Sequence, residues 1–303
     1  MKEVASFRVR KSSLYDRKSD LPFKISRSKF FNFLSCKRCF YLDRVIGLKE
    51  PSMPGWALNI AVDELLKKEF DQYRKEQKPH PTMLKHNLNF IPYQHKDLDI
   101  WRNSLKGGIS YLDEKTNLII HGGIDDLWFD LKEKKLIVVD YKAQSSTYPV
   151  TVSSYLGSQW HLSYKLQMDI YVHILRKMNF KVSDLSYFYV CNGEKTNDKF
   201  NNKIDFKITL IPYRVDTSWI EGKILEMKEI LNSVPTDDAS LDALKEINLR
   251  ILSIVDEDSE VSPENNKNTS PGYTTLRVPH TYFYACVYVV ALSLAFYLGS
   301  IYQ

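Results

Sequence analysis

The chain has 303 residues but only four cysteines, too few and too scattered to form a disulfide framework. Its seven histidines include no His-x-x-x-His or His-Glu-x-x-His pair, so the spacing of a histidine-built zinc site is missing. No Gly-x-x-x-x-Gly-Lys-Ser/Thr loop occurs, which argues against a fused nucleotide-driven motor. Residues Met1 to Arg10 are polar and charged, without the apolar stretch of a secretory signal. A reducing, cytoplasmic setting is the expectation. There is no internal repeat, and residues 281–303 carry no charge at all.

What is present is ordinary in bulk and uneven in distribution. Hydrophobic residues make up 44% and charged residues 26%, the composition of a globular protein with one sizeable core. The formal net charge is +5. Residues 1–50 hold 13 Lys and Arg against 5 Asp and Glu, so the rest of the chain is slightly acidic. A basic start that interleaves Arg8, Arg10, Lys11, Arg17, Lys18, Arg27, Lys29, Lys37 and Arg38 with Phe and Tyr fits a polyanionic partner or a solvated surface.

Periodicity divides the chain. Residues 1–25 read as a basic, irregular segment. Ser26 to Ser28 cap a helical run from Lys29 to Leu34, and a second short helix through Phe40, Tyr41, Leu42 and Val45 stops at Gly47. From about Trp56 to Lys75, apolar residues Leu58, Ala61, Val62, Leu65, Leu66 and Phe70 recur every three or four positions, which predicts a long helix. Residues 78–96 read as loop. Segments 117–130 and 134–142 read as strands, 155–178 as a helix, 185–190 and 204–212 as strands, and 219–231 as a helix. That order predicts an α/β or α+β layer architecture with a mixed sheet flanked by helices. The folded domain spans 26–253, followed by a polar linker over 254–280 and an apolar helix over 281–303.

The chemistry concentrates in Gly122-Gly123-Ile124-Asp125-Asp126 and in Asp140-Tyr141-Lys142. Side chains alternate along a strand, so Asp140 and Lys142 share a face and Asp126 opposes Asp125. If the two runs pair as a hairpin, Asp125 joins Asp140 and Lys142. Two carboxylates beside one ammonium suit a hard divalent cation and an attacking water, the needs of phosphodiester hydrolysis. Asp is disfavoured within strands and Lys is rarely buried unless paired, so strand-end decoration explains the pattern less well. His121, just before the glycines, reads as a partly exposed strand residue.

Gly-Gly-Ile-Asp at 122–125, Val-Asp-Tyr-Lys at 139–142 and Gln167-x-x-x-Tyr171 together resemble the PD-(D/E)xK nucleases. The likeness is greatest to the RecB-like branch, with its AddB-type and CRISPR-associated exonucleases, and it runs from about Ser26 to Trp219. It implies a restriction-endonuclease-like core that cleaves DNA with Mg²⁺ or Mn²⁺. It also implies that Asp125 and Asp140 bind metal, that the Tyr141 carbonyl adds a ligand, and that Lys142 is the catalytic lysine. Gln167 and Tyr171, one helical turn apart, would line the site. Many relatives place a histidine or acid on the first long helix. Here Asn59-x-x-x-Asp63-x-x-Leu66 is the nearest match, which makes Asp63 a further metal ligand and Glu64 the competing choice.

Cys36-Lys37-Arg38-Cys39 has the spacing of half a tetrahedral site. Several relatives complete an iron–sulfur cluster with three C-terminal cysteines, but only Cys191 and Cys286 follow here, so no cluster is expected. Free thiols are the expectation, with a zinc site completed by a histidine or a partner as the alternative. The uncharged run 281–303 has the length of a bilayer span, with Tyr282, Tyr284, Tyr297 and Tyr302 placed like interfacial aromatics. It reads as a tail anchor. A helix docked on the core and an extension from a shifted reading frame are the alternatives.

The sequence therefore points to a metal-dependent deoxyribonuclease acting on single strands or ends, in DNA repair, recombination or defence. It would be cytoplasmic and membrane-associated through its C-terminal helix. A non-catalytic nucleic-acid-binding module of the same fold, and a tail-anchored protein with a soluble interaction domain, are the other readings.

Overall fold

A computed structural model describes residues 11–48 and 57–233. The linker at 254–280 and the expected anchor at 281–303 lie outside the described residues. Among the described residues no helix is long and apolar enough to cross a membrane.

In chain order the first elements are β1 (Phe23–Ser26), α1 (Arg27–Ser35), α2 (Lys37–Tyr41), α3 (Ala57–Glu76) and α4 (Pro81–Lys85). Then follow β2 (Phe90–Pro92), α5 (Leu98–Arg102), β3 (Ile109–Asp113), β4 (Leu118–Gly122), β5 (Asp126–Asp130) and β6 (Lys135–Gln144). The last are α6 (Val152–Gly157), α7 (Leu162–Lys177), β7 (Leu185–Gly193), β8 (Phe206–Arg214) and α8 (Ile220–Asn232). Ser26 caps α1 by accepting from Lys29 N at 3.3 Å. A π-helical turn, Leu42–Ile46, continues α2 and ends at Gly47, where the sequence placed its stop.

The strands make two mixed sheets. One has the order β1-β4-β3, with β1 parallel and β3 antiparallel to β4. The other has the order β2-β5-β6-β7-β8 and is antiparallel except between β6 and β7, which α6 and α7 connect. A parallel pair cannot be joined by a tight turn, so the two helices are the necessary return path.

Strand β6 carries the site and is held from both sides. Leu136 and Val138 lie in the larger core with Ile170 and Ile174 of α7. Ile137, Val139 and Tyr141 lie in a second cluster with Leu66 and Phe70 of α3 and with Trp128. Burying each aliphatic side chain is worth roughly 1.5–3 kcal/mol, so this strand is a firm support for its C-terminal residues.

Several expectations need correction. Residues 1–25 are not wholly irregular: Lys11–Ser13 form a 3-10 turn, and Phe23 starts β1, whose pairing with β4 supplies the order that a four-residue strand lacks alone. Residues 78–96 are not loop but hold α4 and β2. Pro81 is the first residue of α4, where its missing N–H costs nothing, and β2 sits at the sheet edge, where Pro92 is tolerated. The run 117–130 is two strands in different sheets, and 155–178 is α6, a 3-10 turn over Gln159–His161, and α7. In α3 the apolar stripe is only partly core, because Leu58 and Leu65 are exposed.

Candidate active site

The break between β4 and β5 creates the site. The chain leaves one sheet at Gly122 and joins the other at Asp126, so Asp125 stands on the short span between them. Both glycines are required by close approach. A Cβ at Gly122 would meet the Tyr171 ring at 2.6 Å, and one at Gly123 would lie 2.7–2.9 Å from Ser104.

Register brings the second motif alongside. Asp126 pairs with Val139, and one step further the Asp125 carboxylate accepts from Tyr141 N at 2.9 Å. Asp140 and Lys142 point to the α7 face and form an ion pair; the Asp140 side chain is only 1% exposed. Gln167, on α7, donates its amide N–H to the other Asp140 oxygen. Lys142 Nζ also lies 4.8 Å from the centre of the Tyr164 ring. Asp125, Lys142, Tyr141, Gln167 and Tyr171 line one cleft of about 470 Å³, together with Asp63, Lys67 and Arg27.

Residues 24–268 match the model of the PD-(D/E)XK nuclease superfamily. The chain belongs to that superfamily. No curated protein matches the chain. The two mixed sheets with flanking helices form its restriction-endonuclease-like core, and the domain is a nuclease domain whose substrate class is nucleic acid.

The superfamily cleft has an uneven electrostatic balance. Burial and the neighbouring Asp140 push Asp125 up to about 7, against the pull of Lys142 and the Tyr141 N–H. Burial works against the charge on Lys142, but Asp140 and Asp125 outweigh it and raise its proton affinity. Asp63 is raised by burial and by Asp125 although Lys67 donates to it at 2.6 Å. Of the two acids weighed on α3, Asp63 lines the cleft, whereas the Glu64 side chain is 59% exposed.

Among the described residues no three His, Cys, Asp or Glu come together closely enough to make a metal cluster. Asp63 is tied to Lys67, and Asp140 to Lys142. The donor chemistry nonetheless fits a hard divalent cation. All the donors are oxygens, and buried Asp63 Oδ1 has no hydrogen-bond partner.

Asp126 lies on the opposite side of the strand from Asp125, as alternation predicts. It is fully buried and takes an ion pair from Arg74, a hydrogen bond from Arg102 at 2.8 Å and one from the Tyr141 hydroxyl at 2.7 Å. Arg102 also donates to the Asp125 carbonyl at 3.2 Å. Within the described part of the basic start, Lys29 pairs with Asp43 and Lys37 with Glu226, while Arg27 reaches the cleft. His121 is a partly exposed strand residue beside Lys24 and Lys29, away from the acids.

The expectation of free thiols at Cys36 and Cys39 is corrected, because they are joined by a disulfide. Cys36 caps α2, and the first helical turn brings Cys39 back to it. Sequence reading missed Lys67, Tyr164, Arg27 and Arg102 as cleft residues. Two had a visible signal: Lys67 follows Asp63 by four positions, and Tyr164 precedes Gln167 by three, so each shares a helix face with its neighbour. Arg27 is visible only as part of the basic start, and Arg102 comes from a distant segment with no local signal.

Proposed function

We propose that this cleft hydrolyses phosphodiester bonds of DNA, in the manner of the RecB-like branch, with Mg²⁺ or Mn²⁺. The observation that carries the reading is the Asp140–Lys142 ion pair on one strand face, beside Asp125, whose proton affinity is raised. Asp125, Asp140, Asp63 and the Tyr141 carbonyl would hold the cation. When bound, a divalent cation polarises the phosphate and acidifies water. Lys142 orients the attacking water and offsets charge that builds on the phosphate oxygens. Gln167 fixes the rotamer of Asp140 through its amide hydrogen bond. Tyr171 packs against bare backbone at Gly122, where Arg27 also approaches, and Arg27 in the cleft wall would meet a phosphate bound there. Water enters in a single displacement, with no covalent intermediate.

Full-length protein is expected to cleave single- or double-stranded DNA with Mg²⁺ or Mn²⁺, and to lose cleavage on Asp140→Ala or Lys142→Ala with its circular dichroism unchanged. Wild type that leaves every DNA and RNA substrate intact with either metal would overturn the reading. The same reading includes a cytoplasmic location with residues 281–303 as anchor, supported by their lack of charge. Fractionation of cells expressing the chain with and without 281–303 tests it, and equal distribution of the two would dismiss the anchor.

A further inference from the structure

A second cavity, of about 740 Å³, opens beside the catalytic cleft. The two share Asn59, Val62, Ala143 and Tyr164, so they adjoin, and the Asn59 side-chain amide donates to Ala143 O at 3.3 Å at their boundary. Its outer wall is the connection between β7 and β8. There Asn201 and Asn202 both adopt left-handed backbone, with φ of 48° and 57°, and Lys203 N donates to Phe200 O at 3.1 Å. This is the geometry of a type I′ turn, which asparagine accepts at little cost. At the root of the connection Glu194 N donates to Asp205 O at 2.8 Å. The turn holds Phe200 outward, 67% exposed.

The lining is apolar with a basic edge. Phe200, Phe206, Leu58 and Ile204 supply hydrophobic surface, all of it more than a third exposed. Lys195, Lys199 and Lys203 line the cavity with one acid, Glu194. Aromatic faces edged by ammonium groups suit a ligand that carries both ring faces and negative charge. Duplex DNA keeps its base faces stacked inside the helix, out of reach of the aromatics. An unpaired strand offers both base faces for the aromatics and phosphates for the lysines.

We infer that this cavity is a subsite for unpaired nucleotides of the DNA strand that enters the cleft, with Phe200 and Phe206 stacking on bases and Lys195, Lys199 and Lys203 following the phosphates. The inference rests on the reading of the cleft as a DNA-cleaving site, and it narrows the substrate to a single-stranded segment on the β7–β8 side. The volume lies within the range of pockets that take a ligand of nucleotide size.

The test is fluorescence anisotropy with full-length protein, in a chelator so that no cleavage occurs. The probes are labelled oligothymidylate of about 12 nucleotides, the same length of base-free sugar-phosphate strand, a duplex and the ribose counterpart. Wild type is expected to bind oligothymidylate roughly tenfold more tightly than the base-free strand, and the double variant Phe200→Ala, Phe206→Ala to lose that difference. Phe200→Ala alone changes an exposed residue and stands in if the double variant does not fold. Equal binding of oligothymidylate by variant and wild type overturns the subsite, as does equal binding of the two strands by wild type. Tighter binding of the duplex or of the ribose strand overturns its assignment to unpaired DNA. Because no metal is present, absence of cleavage elsewhere would defeat the catalytic reading and leave this binding result standing.

Discussion

Asp125 and Asp126 are neighbours in the chain and opposites in surroundings. Asp126 is enclosed by Arg74, Arg102, the Tyr141 hydroxyl and Leu127 N, so its charge is matched on every side. Asp125 meets a second carboxylate, Asp140, in a region with less to balance it. The same residue type therefore serves cohesion on one face of the sheet and, under the proposed function, reactivity on the other. Excess negative charge is tolerated only where a cation or a proton has use for it, and the surrounding fold is knit by the acid that lacks this excess.

Three experiments break or sharpen that contrast. Asp126→Ala takes the fully buried carboxylate from Arg74 and Arg102 and leaves them only the partly exposed Asp71, and denaturant unfolding should show a loss of about 3 kcal/mol. Asp125→Asn should leave the unfolding midpoint unchanged or raised, because it removes repulsion from Asp140, while DNA cleavage falls roughly 10²–10³-fold or more. If both variants lost stability alike, the division of labour between the faces would be wrong. Gln167→Ala should lower the cleavage rate by about 10-fold, an effect of orientation smaller than loss of the acid itself. A rate equal to wild type would show that Asp140 needs no such support.

A smaller, pH-dependent effect separates two further groups on α7. Burial and nearby Lys177 lower His173 to about 4. The unfolded chain then binds a proton below about pH 6.5 that the folded chain refuses until about pH 4, so this residue costs stability as pH falls through that window. Asp169 works in the opposite sense. Burial raises it to about 6 against hydrogen bonds from Asp216 N, Tyr213 and Trp219, so the fold gains stability as pH falls from 6 towards the ordinary carboxylate range. His173→Gln should flatten the acid side of the stability profile and Asp169→Asn should steepen it, as thermal unfolding from pH 7 to 4 would record.

The residues of the cleft were more legible than the path of the chain that assembles them. Alternation alone put Asp140 with Lys142 and opposed Asp125 to Asp126, because it depends on one strand's local geometry. The four-residue spacing of Gln167 and Tyr171 worked for the same reason on α7. What failed depended on distant partners. Between residues 117 and 130 only Gly122-Gly123 marks the break, and it does not say that the chain changes sheet there, since Gly123 answers to Ser104 in another segment. Phe23–Ser26 and Phe90–Pro92 are strands only because β4 and β5 offer them edges. The arginines around Asp126 converge from α3 and α5, and no local pattern ties them to it.

Gly122 couples two parts of the cleft that otherwise have separate origins. Its bare backbone is the surface on which the Tyr171 ring rests, and one turn earlier on the same helix Gln167 reaches Asp140. The thickness of that contact thus acts as a spacer gauge. It sets how far α7 stands from the strands and whether an amide four residues away meets its carboxylate. A single methyl group added at position 122 would be a shim under the helix, so alignment of the site is a tolerance held by an absent side chain.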